Sequence, residues 1–167
     1  MNILVIGSGG REHAIVRKLK ENPKVETIYC IPGNGGIAAD AVCVAEIGAK
    51  DIPAQVAFAK AHDIGFAVVA PDDPLVLGAV DALEAAGIPC FGPKANAAII
   101  EGSKVFSKEL MKKYAIPTAD YRVFTDAAAA MDYVKVCPLP VVVKADGLAL
   151  GKGVLICERT PFPPWRP

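Results

Sequence analysis

Residues 2–6, Asn-Ile-Leu-Val-Ile, form a short apolar run that stops at Gly7, and helical spacing begins at Arg11. The same unit then recurs. Residues 25–31 read as a second strand, closed by Pro32-Gly33-Asn34-Gly35-Gly36. Residues 51–62 read as an amphipathic helix with Ile52, Val56 and Ala59 on one face and Pro53 in its first turn, where a missing N–H costs nothing. Residues 66–70 read as a buried strand ended by Pro71, residues 75–86 as a helix ended by Gly87, and residues 88–91 as a last short strand. Strands alternating with helices predict a parallel, doubly wound α/β sheet over residues 1–100. Such sheets bind ligands where the carboxyl ends of the strands meet the following loops. That directs attention to the loops at 7–12, 32–36 and 71–74.

A second region is expected over residues 101–157. Residues 102–114 read as a helix with Ser103 near its start, broken by Ile116-Pro117-Thr118. Residues 121–124 read as a strand and residues 126–134 as an alanine-rich helix. Residues 140–144 and 154–157 read as the two strands of a hairpin joined by a long glycine-rich loop. Residues 158–167 carry four prolines and no periodicity, so they neither extend a sheet nor start a helix. We expect residues 1–95 to fold compactly and residues 120–167 to be loosely held.

Composition narrows the function classes. Fifty-three per cent of the 167 residues are hydrophobic, enough for a core. Eighteen basic residues balance eighteen acidic ones, so no nucleic-acid surface is expected. No apolar run approaches the ~20 residues of a membrane span. The first strand lacks the basic start and small-residue cleavage site of a signal peptide, and a cytoplasmic protein is expected. The five cysteines contain no C-x-x-C pair and are odd in number, which argues against zinc and against a disulfide framework. They read as small buried hydrophobes.

Three loops carry candidate chemistry in the first region. Gly7-Ser8-Gly9-Gly10-Arg11-Glu12 follows a strand and opens a helix, so its N–H groups can approach an anion. It comes close to the dinucleotide fingerprint G-x-G-x-x-G, but position 12 is Glu, and Ile31-Pro32 ends the second strand where an acidic ribose contact would stand. A phosphate-bearing small molecule and a plain tight turn both remain open. His13 reads as a packing or solvent-facing residue. Asn34-Gly35 is a generic turn or a second wall of the same pocket. Asp72-Asp73-Pro74 offers two carboxylates to sugar hydroxyls or an ammonium group, or caps the next helix.

In the second region, Lys144-Ala-Asp-Gly147-Leu-Ala-Leu-Gly151-Lys152-Gly153 combines two lysines with three glycines. Glycines let a loop fold over a polyphosphate, and lysine supplies compensating charge. The motif is not a Walker A loop, because Gly153 replaces the Ser/Thr and a strand follows. A lysine in a helix's first turn opposes the helix dipole, so Lys104 is a solvated residue or a partner of a bound phosphate.

Taken in order, residues 7–14, 32–36, 71–76, 91–93, 101–104, 116–119 and 144–154 resemble the glycinamide ribonucleotide synthetase family, ATP-grasp ligases of purine biosynthesis. The resemblance is nearly collinear from residue 1 to about 157. It implies joining of glycine to 5-phosphoribosylamine with conversion of ATP to ADP and phosphate, through a glycyl phosphate, with magnesium bridging the nucleotide phosphates. It implies that Gly9, Gly10, Arg11, Glu12, Asn34, Gly35, Asp72, Asp73 and Pro74 hold phosphoribosylamine. It implies that Lys104, Lys144, Gly147, Gly151, Lys152 and Gly153 face ATP. No metal ligand is assigned here, since the family's magnesium ligands are expected beyond this stretch. A monomer is implied. The family's Gly-Pro-Glu is Ala70-Pro71-Asp72 in this chain, one methylene shorter. The family pattern stops near Cys157, so we expect an incomplete catalytic half, inactive by itself, with residues 158–167 read as out-of-frame translation or a mispredicted gene end. The alternatives are a non-catalytic phosphoribosyl-binding module and another purine-pathway ATP-grasp ligase.

Overall fold

The computed structural model describes residues 1–149 and 152–158. The described residues divide into two compact units, residues 1–102 and those that follow from 103. Each is described by itself.

The first unit is a five-stranded parallel sheet in the order β3-β2-β1-β4-β5. Its strands are β1 (Asn2–Gly7), β2 (Ile28–Pro32), β3 (Val42–Cys43), β4 (Ile64–Val69) and β5 (Cys90–Phe91). Helices α1 (Gly10–Lys20), α2 (Ile52–Ala61), α3 (Asp72–Val76), α4 (Ala79–Ala85) and α5 (Ala95–Gly102) complete the unit. β1 is central and buried on both faces, which is why it reads as an unbroken apolar run. Leu4 and Ile6 face one layer with Ala59, Leu75, Val80 and Leu83. Ile3 and Val5 face the other, with Val16 of α1 and Ile37. Each fully buried aliphatic side chain of this kind contributes about 1.5–3 kcal/mol.

Several elements differ from the sequence expectations. The helix expected over 75–86 is two, α3 and α4, because Gly78 takes φ +87 between them. A side-chain-bearing residue resists that left-handed conformation, and Gly78 ends one helix and caps the next. The second strand runs over 28–32; residues 25–27 are irregular, although the Ile3 N–H donates to the Thr27 carbonyl at 2.9 Å and the Glu26 N–H to the Met1 carbonyl at 3.1 Å. The helix expected to begin at 102 begins at Lys104, after Ser103 accepts from the Phe106 N–H at 3.1 Å. A separate helix, α5, precedes it and packs against α3; Gly102 there leaves no room for a Cβ beside Val76.

The second unit holds α6 (Lys104–Lys113), α7 (Ala127–Val136) and an antiparallel hairpin of β6 (Val141–Lys144) and β7 (Val154–Cys157). Residues 121–124 are irregular rather than a strand. Side chains hold residues 118–121 to α6: Lys108 Nζ donates to Thr118 Oγ1 at 2.6 Å and to the Ala119 carbonyl at 2.8 Å, and the Tyr121 hydroxyl donates to Glu109 at 2.7 Å.

All five cysteines are free thiols. Cys30 and Cys157 are buried, but Cys43, Cys90 and Cys137 are only partly so, correcting the uniform burial expected. Desolvation, with smaller contributions from Cys43 and Glu12, pushes the Cys30 thiol up to about 12. Among the described residues, no helix is long and apolar enough to cross a membrane.

Candidate functional site

In the first unit, chain connections run from β1 to β2 on one side of the sheet and later to β4 on the other. β1 and β4 therefore flank the point where strand order reverses, the usual place for a ligand crevice. The loops after both strands meet there. Gly7, at φ +134, leaves so little space that a Cβ would overlap the Glu12 side chain and stand 3.0 Å from the Pro71 ring.

The loop after β1 is held from beneath. Glu12 is 3% exposed, and its Oε2 accepts the Gly9 N–H at 2.6 Å. Its Oε1 is also buried and has no hydrogen-bond partner among the described residues. Gly10 has open space around its Cα, and Gly9, Gly10 and Arg11 are exposed. The loop after β2 is stitched to the first. Asn34 Nδ2 donates to the Ser8 carbonyl at 2.6 Å, and the Gly33 N–H donates to the Gly7 carbonyl at 3.1 Å. Asn34 Oδ1 in turn accepts from Gly36 at 2.8 Å and Ile37 at 2.9 Å, leaving Gly35 exposed at the tip. Asp72 and Asp73 lie in the first turn of α3 after Pro71, where carboxylates complement the helix dipole. Asp73 pairs with Lys50, and Pro74 is buried.

Sequence reasoning missed two partners here. His13 is not merely packed: its Nε2 lies 3.0 Å from Asp40 Oδ2, and Lys20 reaches the other Asp40 oxygen at 3.0 Å. Hydrogen bonds from His13, then Lys20, hold the Asp40 carboxyl below its ordinary value. Lys50 is 23 residues from Asp73 and carries no local signal of that pairing.

In the second unit, Lys144 ends β6 and is exposed, as is Lys152. Lys104 Nζ donates to the Gly147 carbonyl at 2.6 Å, so two of the expected phosphate-facing residues meet. Gly147 has φ +92. Gly153 is buried, and a Cβ on it would stand 2.7 Å from that of Ala149. Gly151 lies outside the described residues. Among the described residues no group of three or more His, Cys, Asp or Glu side chains is placed to hold a metal ion. The described lysines are cations and supply no ligand for magnesium.

Residues 1–101 match the family model of the phosphoribosylglycinamide synthetase N domain, and residues 102–161 that of the ATP-grasp (A) domain of the same synthetase. The chain belongs to the phosphoribosylglycinamide synthetase family. Among synthetase relatives, the phosphoribosylamine–glycine ligase of Listeria monocytogenes is 55% identical over 156 residues, covering 93% of this chain and 37% of its own length. That of Allochromatium vinosum is 50% identical over 159 residues, covering 95% of this chain and 37% of the relative. The crystal structure of phosphoribosylamine–glycine ligase from Thermotoga maritima superposes with a TM-score of 0.72 at 32% identity, covering 95% of this chain and 36% of that one. N5-carboxyaminoimidazole ribonucleotide synthetase from the same organism shares the fold alone, at a TM-score of 0.66 and 21% identity over 95% of this chain and 41% of that one. The chain thus spans about 37% of the length of the curated synthetase relatives it matches.

Proposed function

We propose that this chain supplies the phosphoribosylamine-binding domain, residues 1–100, and the opening of the ATP-grasp region, residues 101–157, of a monomeric cytoplasmic phosphoribosylamine–glycine ligase. In that reaction ATP phosphorylates the glycine carboxylate. The amine of 5-phosphoribosylamine then attacks the acyl carbon and phosphate leaves, giving glycinamide ribonucleotide, ADP and phosphate. The observation that carries the reading is the glycine loop after β1, at the strand-order reversal, underpinned by Glu12 and joined through Asn34 to the glycine loop after β2. Gly9 and Gly10 let the phosphate end of the substrate approach the start of α1, and Arg11 supplies a cation there. Asn34 and Gly35 wall the pocket. Asp72, Asp73 and Pro74 meet the sugar or its amine. Because Asp73 already pairs with Lys50, Asp72 is the carboxylate free to take the larger share. Lys104, Lys144, Gly147, Gly151, Lys152 and Gly153 face the phosphates of ATP, whose magnesium is held by residues outside this set.

The test is a graft. Residues 1–157 replace the matching stretch of the Listeria monocytogenes relative, and ADP release is followed. We expect release that requires both glycine and phosphoribosylamine. A folded graft whose ADP release ignores phosphoribosylamine would refute the assignment.

A further inference from the structure

Asp146 stands in the glycine-rich loop of the second unit, but the phosphate reading gives it no task, and by charge alone it would repel a phosphate. Its surroundings show where that charge is spent. Asp146 Oδ1 accepts from the Lys104 N–H at 2.7 Å and from the Val105 N–H at 3.2 Å, across more than forty residues of chain. Both carboxylate oxygens also lie within reach of the Ser103 hydroxyl, at 3.2 and 3.1 Å. Ser103 Oγ meanwhile accepts from Phe106. The first turn of α6 thus has three of its otherwise unpaired N–H groups satisfied by Asp146 and Ser103 together. The Lys104 side chain completes the clasp by crossing to the carbonyl of Gly147, the very next residue. Burial alone would push the Asp146 carboxyl up, but donation from Val105, Ser103, Gly147 and Lys104 prevails and holds it below its ordinary value.

We propose that Asp146 is a positioning residue for polyphosphate binding, a clasp that fixes the start of the glycine-rich loop to α6 and so sets where Lys104 stands relative to Lys144. This rests on the reading of the second unit as the nucleotide side of the site. Lys144 is two residues before Asp146 in sequence, and Lys104 is the residue whose N–H Asp146 binds. One carboxylate therefore ties together the two lysines that are to share a ligand. Its charge is matched by the positive end of α6, which leaves the Lys144 ammonium, and the N–H donors of the Lys104 ammonium not given to Gly147, for phosphate oxygens.

The experiment is calorimetric titration of the 167-residue chain with inorganic tripolyphosphate, for the wild type, Asp146→Ala, Asp146→Asn and Ser103→Ala. A clasp predicts that Asp146→Ala weakens binding about tenfold although it removes a negative charge, the size expected for losing charge-assisted hydrogen bonds. Asp146→Asn keeps an oxygen for the Lys104 and Val105 N–H groups and recovers most of the affinity; Ser103→Ala loses a smaller part. Unchanged or tighter binding in both Asp146 variants would show that Asp146 acts only as a repelling charge and would overturn the proposal. A wild-type chain that bound no tripolyphosphate would overturn the nucleotide reading itself, and this role with it.

Discussion

Val5 in β1 and Val142 in β6 are the same residue type in the middle of similar valine-rich and isoleucine-rich runs, yet Val5 is 0% exposed and Val142 is 47% exposed. The contrast holds across the two units. Among the described residues, every buried hydrophobic residue but Cys157 belongs to residues 1–102. In the first unit a five-stranded parallel sheet is covered on both faces by helices, so a strand has two layers to bury against. In the second, a two-stranded hairpin offers each strand a single neighbour. An isolated hairpin is at best marginally stable in water, whereas a sheet covered on both faces supports a cooperative core. An apolar run therefore states what a segment is able to bury, not what it does bury. The candidate sites follow the same division. The loops proposed for the sugar phosphate follow inner strands of the covered sheet, and the loop proposed for the polyphosphate is braced by one clasp.

Substitutions can break or sharpen this comparison. Leu4→Ala in β1 should cost about 3 kcal/mol, read from the urea midpoint, because a fully buried leucine leaves a cavity. Val142→Ala in β6 should cost less than about 1 kcal/mol, since half its surface is already in water. Equal costs would erase the distinction. Gly7→Ala comes next. It combines a positive φ with overlap on Glu12 and Pro71, so a loss of about 2–3 kcal/mol is expected, together with loss of ribose 5-phosphate binding. Glu12→Ala strands the Gly9 N–H and should cost about 1–3 kcal/mol; a neutral result would mean the loop does not need its brace.

Two helix caps give a smaller, matched pair. Asp51 accepts from Ala54 at 3.1 Å and Asp126 from Ala129 at 2.7 Å. Each is worth about 1 kcal/mol. Asp51→Ala should lower the cooperative unfolding midpoint of the first unit. Asp126→Ala should speed amide exchange in α7 alone. The smallest effect is the titration of Asp40. Its folded value is depressed, so its stabilising contribution is present above the unfolded value near 3.8 and is lost as pH falls through the lower folded value. A carbon-detected NMR midpoint at or above 3.8 would contradict the His13 and Lys20 contacts.

Much of the first unit was legible because it is written in local signals. Strand runs ending on glycine, Pro53 after the Asp51 cap, and the adjacency of the Gly7 and Asn34 loops all follow from spacing and topology. The rest depended on distant partners. Gly78 sits in an otherwise helical pattern, and only its backbone conformation shows the break into α3 and α4. The pairs His13–Asp40, Lys50–Asp73 and Asp146 with the start of α6 join residues 23 or more positions apart, beyond any periodicity. Residues 121–124 have strand-like composition, but Tyr121 is held by Glu109 and stacked under Lys108 of α6, and composition alone does not reveal which partner a segment will find.

Amide hydrogen exchange of the 167-residue chain with and without saturating ribose 5-phosphate, which carries a hydroxyl where phosphoribosylamine carries its amine, tests the central claim most directly. The account predicts slowed exchange confined to residues 7–12, 33–37 and 71–76, with β6 and β7 exchanging quickly in both states. Unchanged exchange in all three loops, or β6 and β7 protected as strongly as β1, would contradict it.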